Sequence, residues 1–232
     1  MAKLDKQAKG GSARTSLEGI NDTLTNAEMR LEKNKKLIYW CLGIVLAVVA
    51  VVLIWIYAIR NPGIKEANEM IGKADIMLFM NNNADSALTL YKGVASNYSS
   101  YDAGDRACHM AAILLYQKGK YADALKYLEK GTAKGKIEGP AYKSLQGDCY
   151  VNTKQYSKAI SCYDEAVKLA GDNMSYAPTF LLKKATVQHA TKDYAGELDT
   201  YTTIKQKYPQ FVAGMQMNID KYIERAKGLA GK

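Results

Sequence analysis

The sequence predicts an all-α protein in which one N-terminal transmembrane helix precedes an α-solenoid of about four helical hairpins and a C-terminal capping helix. Three observations predict this class. The segment Leu37–Ile59 contains 23 residues and no charge, no strand pattern follows it, and small and aromatic residues then recur at helical spacing. The predicted domains are a cytoplasmic tail with a juxtamembrane helix (1–36), the transmembrane helix (37–59) and the solenoid domain (60–232).

The apolar segment has the length and the ends of a membrane-spanning helix. At about 1.5 Å per residue it can cross a hydrocarbon core roughly 30 Å thick. Tyr39 and Trp40 lie near one end, and Trp55 and Tyr57 near the other, as in the aromatic belts of spanning helices. A cleaved signal peptide is the alternative, but the apolar run is long, begins late and is followed by no small-residue cleavage site. The triplet Asn61-Pro62-Gly63 is predicted to end the helix.

The flanking charges predict the orientation of the span. Basic residues lie on both sides: Arg30, Lys33, Lys35 and Lys36 before it, and Arg60, Lys65 and Lys73 after it. The N-terminal charges are denser and closer, which favours a cytoplasmic N-terminus and an external solenoid. In a bacterium the solenoid would be periplasmic. Before the span, apolar residues in heptad spacing over Leu17–Leu31 predict the juxtamembrane helix.

The stretch from Gly147 to Gly171 predicts one helical hairpin. Gly147 and Tyr150 stand three residues apart, and a polar break follows over residues 152–155. The next apolar positions then fall at spacings that place them on one face of a second helix: Tyr156, Ala159, Tyr163 and Ala166. Two helices joined by a short polar turn form an αα-hairpin, in which small residues permit close approach and tyrosines fill the seam.

Three further segments carry weaker versions of this pattern. The corresponding second-helix positions are Ala84, Ala87, Tyr91 and Val94; Tyr121, Ala124, Leu128 and Gly131; and Tyr194, Glu197, Tyr201 and Ile204, with Pro209 ending the last segment. A polar turn precedes each of them. Residues 211–229 are predicted to form one capping helix. Hairpins of this kind stack side by side, because none can bury its own apolar face.

The spacing of small and aromatic residues resembles the tetratricopeptide repeat (TPR), whose period is about 34 residues. Residues 147–171 match it closely and the other three units are degenerate. Glu197 stands where the repeat has alanine, so we expect it to loosen that hairpin or to reach solvent. Pro209 stands at the place of the repeat's terminal proline.

The whole layout resembles the YfgM-type family of bacterial inner-membrane proteins. The segments that carry the resemblance are LEKNKKL before the span, LQGDCYVNTKQYSKAISCYDEA in the central unit and MQMNIDKYIERA near the C-terminus. The resemblance implies association with subunits of the Sec translocon and with a membrane-anchored periplasmic prolyl isomerase of the PpiD type. It also implies a role in helping newly translocated proteins.

The sequence contains no catalytic or metal-binding motif. His109 and His189 are the only 2 histidines, and they fall in different hairpins. Asp164 and Glu165 are adjacent, so their carboxylates diverge on a helix and are interpreted as solvating groups. We therefore predict a protein that is not an enzyme and that has no cofactor and no metal. Cys149 and Cys162 fall on facing helices, where a disulfide is conceivable, but small buried core residues are the preferred interpretation.

Two surfaces of the solenoid are candidates for binding. The expected groove positions are His109 and Ile113, Ser144 and Asp148, and Leu182 and Thr186. They lack the Lys, Arg and Asn clamp that binds C-terminal carboxylates in some proteins of this repeat class. The chain carries a formal net charge of +9, and seven lysines cluster around one hairpin: Lys118, Lys120, Lys126, Lys130, Lys134, Lys136 and Lys143. A solvated helix surface is the preferred interpretation of this cluster, with an anionic lipid or an acidic partner as the alternative, and no nucleic-acid binding is predicted.

The predicted function is that of a membrane-anchored protein–protein interaction module, an ancillary translocon-associated factor that assists proteins emerging in the periplasm. Three alternatives stay open. They are a periplasmic holdase chaperone, a TPR scaffold for another cell-envelope assembly, and an organelle import receptor, against which the missing clamp argues.

Overall fold

Every regular element of the chain is helical within the residues that the structure, a computed structural model, describes, namely 32–132 and 134–231. The predicted all-α class is therefore confirmed. The described residues up to Pro62 and those from Gly63 onward form two separate units. The predicted juxtamembrane helix Leu17–Leu31 lies outside the described residues.

The first unit contains the apolar segment. Helix α1 covers Lys35–Trp55, and the π-helical turn Ile56–Arg60 follows it. Among the described residues, one helix is long and apolar enough to cross a membrane; it runs from Lys35 to Met80, and a signal sequence would share this property.

The prediction that Asn61-Pro62-Gly63 ends the helix is wrong, because helix α2 covers Asn61–Asp75. Pro62 lies in the interior of the continuous helix Lys35–Met80, where it removes one backbone N–H donor. In the π-helical turn just before it, the Asn61 N–H donates to the Ile56 carbonyl. This wider turn relieves the clash between the proline ring and the carbonyl four residues earlier, which would otherwise interrupt an α-helix.

The second unit contains four hairpins and two terminal helices. After α2, the π-helical turn Ile76–Met80 completes the first helix of the first hairpin. The helices that follow are α3 (Ala84–Asn97), α4 (Asp102–Gln117), α5 (Tyr121–Lys130), α6 (Glu138–Asn152), α7 (Tyr156–Ala170), α8 (Tyr176–Ala190), α9 (Tyr194–Lys207), α10 (Pro209–Gly214) and α11 (Ile219–Leu229). Each helix from α4 to α9 packs against the next one along the chain. The first helices of neighbouring hairpins, α4, α6 and α8, also contact one another in sequence.

The four hairpin turns share a left-handed residue at the middle position. Each turn has three residues, and the middle one is in the left-handed region: Asn82, Gly119, Lys154 and Lys192, with φ of 49°, 71°, 59° and 61°. Asn83 and Asp193, which close two of the turns, accept hydrogen bonds from the backbone N–H groups of Ser86 and Gly196 at the start of the next helix. Local turn chemistry therefore sets the hairpins.

The predicted single capping helix 211–229 is wrong in its detail, because α10 and α11 are separate helices. The break spans residues 215–218, where Gln216 has a φ of 48°. The Asn218 side chain then accepts a hydrogen bond from the Lys221 N–H at 3.2 Å and so caps α11. A left-handed residue followed by an N-cap ends one helix and starts another.

Small buried residues recur in the second helices of the first three hairpins. Ala87, Ala124 and Ala159 are fully buried at equivalent positions. One turn further on, a large side chain fills the seam in each of the four hairpins: Tyr91, Leu128, Tyr163 and Tyr201, all buried. The core is divided into two clusters: one runs through the first three hairpins and includes Val187 of α8, and the other lies in the fourth hairpin and α11.

Gly147 lies against the Tyr163 ring between the two helices of the third hairpin. A Cβ atom at this position would lie 2.6 Å from Cε1 of the buried Tyr163 ring. We expect Gly147→Ala to lower the free energy of unfolding by about 1–2 kcal/mol, because the overpacking cost exceeds the gain in helix propensity. Urea unfolding followed by circular dichroism, on the full chain in a mild detergent, measures this difference.

The second hairpin supplies a control for this prediction. Ala112 and Leu128 occupy the same two places there as Gly147 and Tyr163. A Gly147→Ala/Tyr163→Leu double variant should therefore be clearly more stable than the sum of the two single effects implies. Strict additivity of the two changes would contradict this account of the contact.

Candidate functional site

The predicted signature residues lie at contacts between helices and do not converge on an open site. Seven of these signature residues are buried: Gly147, Tyr150, Ala159, Tyr163, Ala166, Ala124 and Tyr201. The first residues of second helices are half-buried: Tyr121, Tyr156 and Tyr194. Pro209 is exposed at the first position of α10. The arrangement assigns these residues to packing, which leaves binding to the surfaces between them.

A hydrogen-bonded network occupies the expected groove positions of the third hairpin. The Tyr163 hydroxyl donates to Asp148 Oδ1 at 2.8 Å. Lys183 Nζ, from the next hairpin, donates to Asp148 Oδ2 at 2.6 Å and to the buried Ser144 Oγ at 2.9 Å. Burial, with the Asp148 charge as a second cause, raises the pKa of the Tyr163 hydroxyl. Ser144 and Asp148 therefore join two hairpins and are not free to bind a partner.

The first hairpin contains the same network. The Tyr91 hydroxyl donates to Asp75 Oδ1 at 2.5 Å, and Arg106 from the second hairpin donates to Asp75 Oδ2 at 2.6 Å. In the second hairpin Leu128 replaces the tyrosine, and the half-buried Ile113 takes the place of the aspartate. The network therefore links the first hairpin to the second and the third to the fourth.

Glu197 is fully buried, so the alternative in which its side chain reaches solvent is wrong. Its carboxylate accepts hydrogen bonds from Arg225 Nη2 at 2.5 Å and pairs with His189 Nδ1 at 2.8 Å. Arg225 belongs to α11 and His189 to α8. A buried carboxylate is stable only when it is paired, so Glu197 joins three helices.

The interpretation of Asp164 and Glu165 as merely solvating groups is also wrong. Asp164 pairs with Lys184 at 2.7 Å, and Glu165 pairs with Lys143 at 2.6 Å. Each pair connects α7 to a neighbouring first helix. Sequence spacing could not reveal these pairs because both partners lie in another helix, about 20 residues away.

The lysine cluster is largely neutralised by carboxylates. Four of its members form ion pairs: Lys118 with Asp85, Lys126 with Asp123, Lys134 with Asp105, and Lys143 with Glu165. In the part of the chain that the structure describes, Lys120, Lys130 and Lys136 form no ion pair. The cluster is therefore not a continuous basic face for an acidic partner.

A cleft of about 330 Å³ opens between α4, α6 and the segment that joins the second hairpin to the third. His109 and Tyr142 line it with ring centroids 5.1 Å apart. The Tyr142 hydroxyl donates to the Leu128 carbonyl at 3.0 Å, which holds the ring in place. Burial lowers the pKa of His109, which favours the neutral imidazole.

Of the expected groove positions, only His109 lines this cleft. Sequence reasoning missed Glu138 and Tyr142, and Tyr142 lies two residues before Ser144 in the first helix of the third hairpin. Thr132, Lys134 and Gly135 supply one wall of the cleft, and the Thr132 N–H donates to Asp105 Oδ1 at 3.0 Å.

The cysteines of the solenoid are buried thiols. Cys108, Cys149 and Cys162 are free in this structure. Burial raises the pKa of the Cys149 thiol from 9.0 to about 12 and that of Cys162 to about 11. Cys108 shifts in the same direction for the same reason. The preferred interpretation of Cys149 and Cys162 as core residues agrees with this burial.

We expect these three thiols to resist iodoacetamide at pH 8, reacting at least about tenfold more slowly in the native chain than in urea, because only an exposed thiolate reacts. Mass spectrometry of digested protein measures the labelling of each site. A disulfide-linked peptide containing Cys149 and Cys162 would contradict the expectation. A thiol pKa that is raised on folding stabilises the fold below pH 9 and ceases to do so as the pH rises from about 9 to about 12.

The comparisons agree with the fold. Residues 109–173 match the tetratricopeptide repeat family. A solved Podosopora anserina protein, described as a kinesin light chain with nearly identical TPR-like repeats, is similar with a TM-score of 0.52 and 13% identity, over 72% of this chain and 87% of that one. A single-substitution variant of it gives the same TM-score and coverage with 14% identity. Comparison with curated proteins gives no significant match. The residues from Gly63 onward thus form a TPR-like solenoid.

Proposed function

We propose that this TPR-like solenoid, carried behind one apolar helix, is a membrane-anchored protein–protein interaction module. More specifically, we propose an ancillary factor of the Sec translocon. This factor recruits a periplasmic prolyl isomerase and assists proteins emerging in the periplasm. The apolar helix sets the location, and the surface formed by first helices holds a segment of the partner. No catalytic role is assigned.

One observation carries the proposal. The small and aromatic repeat residues pack between the helices, while the first helices α4 and α6 leave an open cleft between them. Stacked helical repeats characteristically bind proteins on such extended surfaces. The exposed apolar helix α1 and its dense N-terminal lysines support membrane attachment with the solenoid outside. The resemblance to the YfgM-type family supports the translocon.

Affinity purification of the tagged full-length chain from gently solubilised membranes tests the proposal. Mass spectrometry should find translocon subunits and a periplasmic prolyl isomerase among the strongest co-purifying proteins. Cell-wall, division or import components in their place would refute the association with the Sec translocon. A matched chain with α1 replaced by an unrelated spanning helix shows whether the solenoid selects the partners.

Protease accessibility tests the proposed topology. In intact spheroplasts, an external protease should remove the solenoid and leave an N-terminal tag protected. Protection of the solenoid would place it in the cytoplasm and would contradict both the orientation and the periplasmic role.

A holdase chaperone is the second candidate, and an exposed apolar patch favours it. Ile76, Phe79 and Met80 are 49%, 71% and 79% exposed at the end of the first helix of the first hairpin. Exposed methionine and aromatic side chains suit adaptable binding of unfolded segments. The full chain should then suppress aggregation of a model unfolded protein, and Phe79→Ser/Met80→Gln should abolish this effect. Unchanged suppression by that variant would refute the holdase role of the patch.

A further inference from the structure

We propose that the cleft between α4 and α6 binds an arginine side chain on an extended segment of the protein partner. The proposal rests on the proposed function, since it assumes a protein partner, and it adds the chemistry by which that partner is recognised.

The charges of the cleft favour a cation. Three carboxylates line it, those of Asp102, Asp105 and Glu138, against the two cations Arg106 and Lys134. Both cations are already engaged: Arg106 with Asp75 at 2.6 Å, and Lys134 with Asp105 at 2.8 Å and with Asp102 at 3.4 Å. In the described part of the chain no ion pair includes Glu138. A neutral His109 leaves the cleft with an excess negative charge.

The shape and lining of the cleft favour a guanidinium over a compact ammonium. The half-buried His109 presents an aromatic ring, the buried Tyr142 ring lies behind it, and Met110 adds an apolar wall. A planar guanidinium stacks on aromatic rings, and its methylene stem packs on apolar side chains. Its N–H groups can at the same time donate to the Glu138 carboxylate in a charge-assisted pair. About 330 Å³ accommodates one such side chain with part of the adjoining backbone.

An anionic ligand fits the cleft less well. Helix α6 begins at Glu138, and the positive end of a helix attracts negative charge. Glu138 itself supplies that charge, and Asp102, whose side chain is 96% exposed, adds a second one at the rim. An incoming carboxylate or phosphate would meet both.

Two fluorescein-labelled peptides test the proposal against the full-length chain in a mild detergent. They have the sequence Gly-Ser-Leu-X-Leu-Ser-Gly, where X is arginine in one and citrulline, its uncharged isostere, in the other. Fluorescence anisotropy should show about tenfold tighter binding of the arginine peptide, the size expected for one charge-assisted hydrogen-bonded pair. A lysine peptide should bind more weakly than the arginine peptide.

Glu138→Gln should abolish the preference for arginine, whereas the control Glu224→Gln, on the exposed face of α11, should leave it intact. Equal binding of the two peptides, binding by neither, or a preference that survives Glu138→Gln would overturn the proposal. If Glu138 serves only the helix terminus, Glu138→Gln lowers stability and changes no selectivity, which would also overturn it.

The peptide-binding test and the co-purification test can fail independently of each other. Co-purification of translocon subunits by a chain that does not discriminate the peptides would leave the proposed function standing without this cleft. Discrimination of the peptides without translocon subunits would retain the arginine site and reject the translocon.

Discussion

Replacing Arg225 with alanine is expected to lower the free energy of unfolding of the C-terminal hairpin by about 2–3 kcal/mol. Among the described residues, the change leaves the buried Glu197 carboxylate with His189 as its single side-chain partner. Removing one partner of a buried ion pair costs roughly 3–5 kcal/mol, and the half-exposed position of Arg225 lowers this value. Urea unfolding of the full chain, with hydrogen exchange of α11, measures the loss.

Two further variants serve as a control and as a rescue for Arg225→Ala. Lys227→Ala changes an exposed charge on the same helix, which forms no ion pair within the described residues, and should have little effect. Glu197→Gln combined with Arg225→Ala should recover most of the stability, because a neutral amide of similar size avoids the buried charge. A double variant as unstable as Arg225→Ala alone would show that the loss comes from packing of the arginine stem.

Replacing Gly104 with alanine is expected to destabilise the first two hairpins by roughly 3 kcal/mol. Gly104 lies in the first turn of α4, and an added Cβ would overlap the Tyr98 carbonyl oxygen and lie 2.8 Å from Ser99 Cα. Backbone atoms cannot rotate away as a side chain can, so the turn or the helix must shift. Urea unfolding monitored by circular dichroism tests this.

Gly228→Ala is the matched control for Gly104→Ala. Gly228 is also helical, in α11, but an added Cβ there would meet no atom within 4 Å. Alanine should therefore stabilise that helix by up to about 1 kcal/mol. Similar effects of the two substitutions would refute the close contact at Gly104.

The hairpins could be predicted because their determinants are local. A polar turn followed by small and large residues at positions such as Ala159 and Tyr163 specifies a second helix with one buried face. The same argument located the turns at 81–83, 118–120 and 191–193, which the structure reproduces. It failed at Pro62, where a neighbouring π-helical turn accommodates the proline, and at 215–218, where a left-handed Gln216 divides the predicted cap.

The candidate site could be predicted only in part. The repeat pattern predicted that His109 lies in the groove. It could not predict the neighbouring ring of Tyr142, which lies 33 positions later in the chain. Asp148 has the right position for a groove residue, yet Tyr163 and Lys183 donate hydrogen bonds to its carboxylate. A residue's helix face follows from sequence spacing, whereas its hydrogen-bond partners depend on which helices become neighbours.

The sequence by itself therefore determined the class of the protein: an uncharged segment long enough to span a membrane, and repeated amphipathic hairpins that must stack to bury their apolar faces. Only the tertiary structure decided the pairing of Glu197 with Arg225, the neutralisation of the lysine cluster, the close approach at Gly104 and the cleft at Glu138. The physical reason is how far apart along the chain the interacting residues lie. Periodicity acts over one or two helical turns, whereas ion pairs, backbone contacts and clefts form between residues that only the stacking of hairpins brings together.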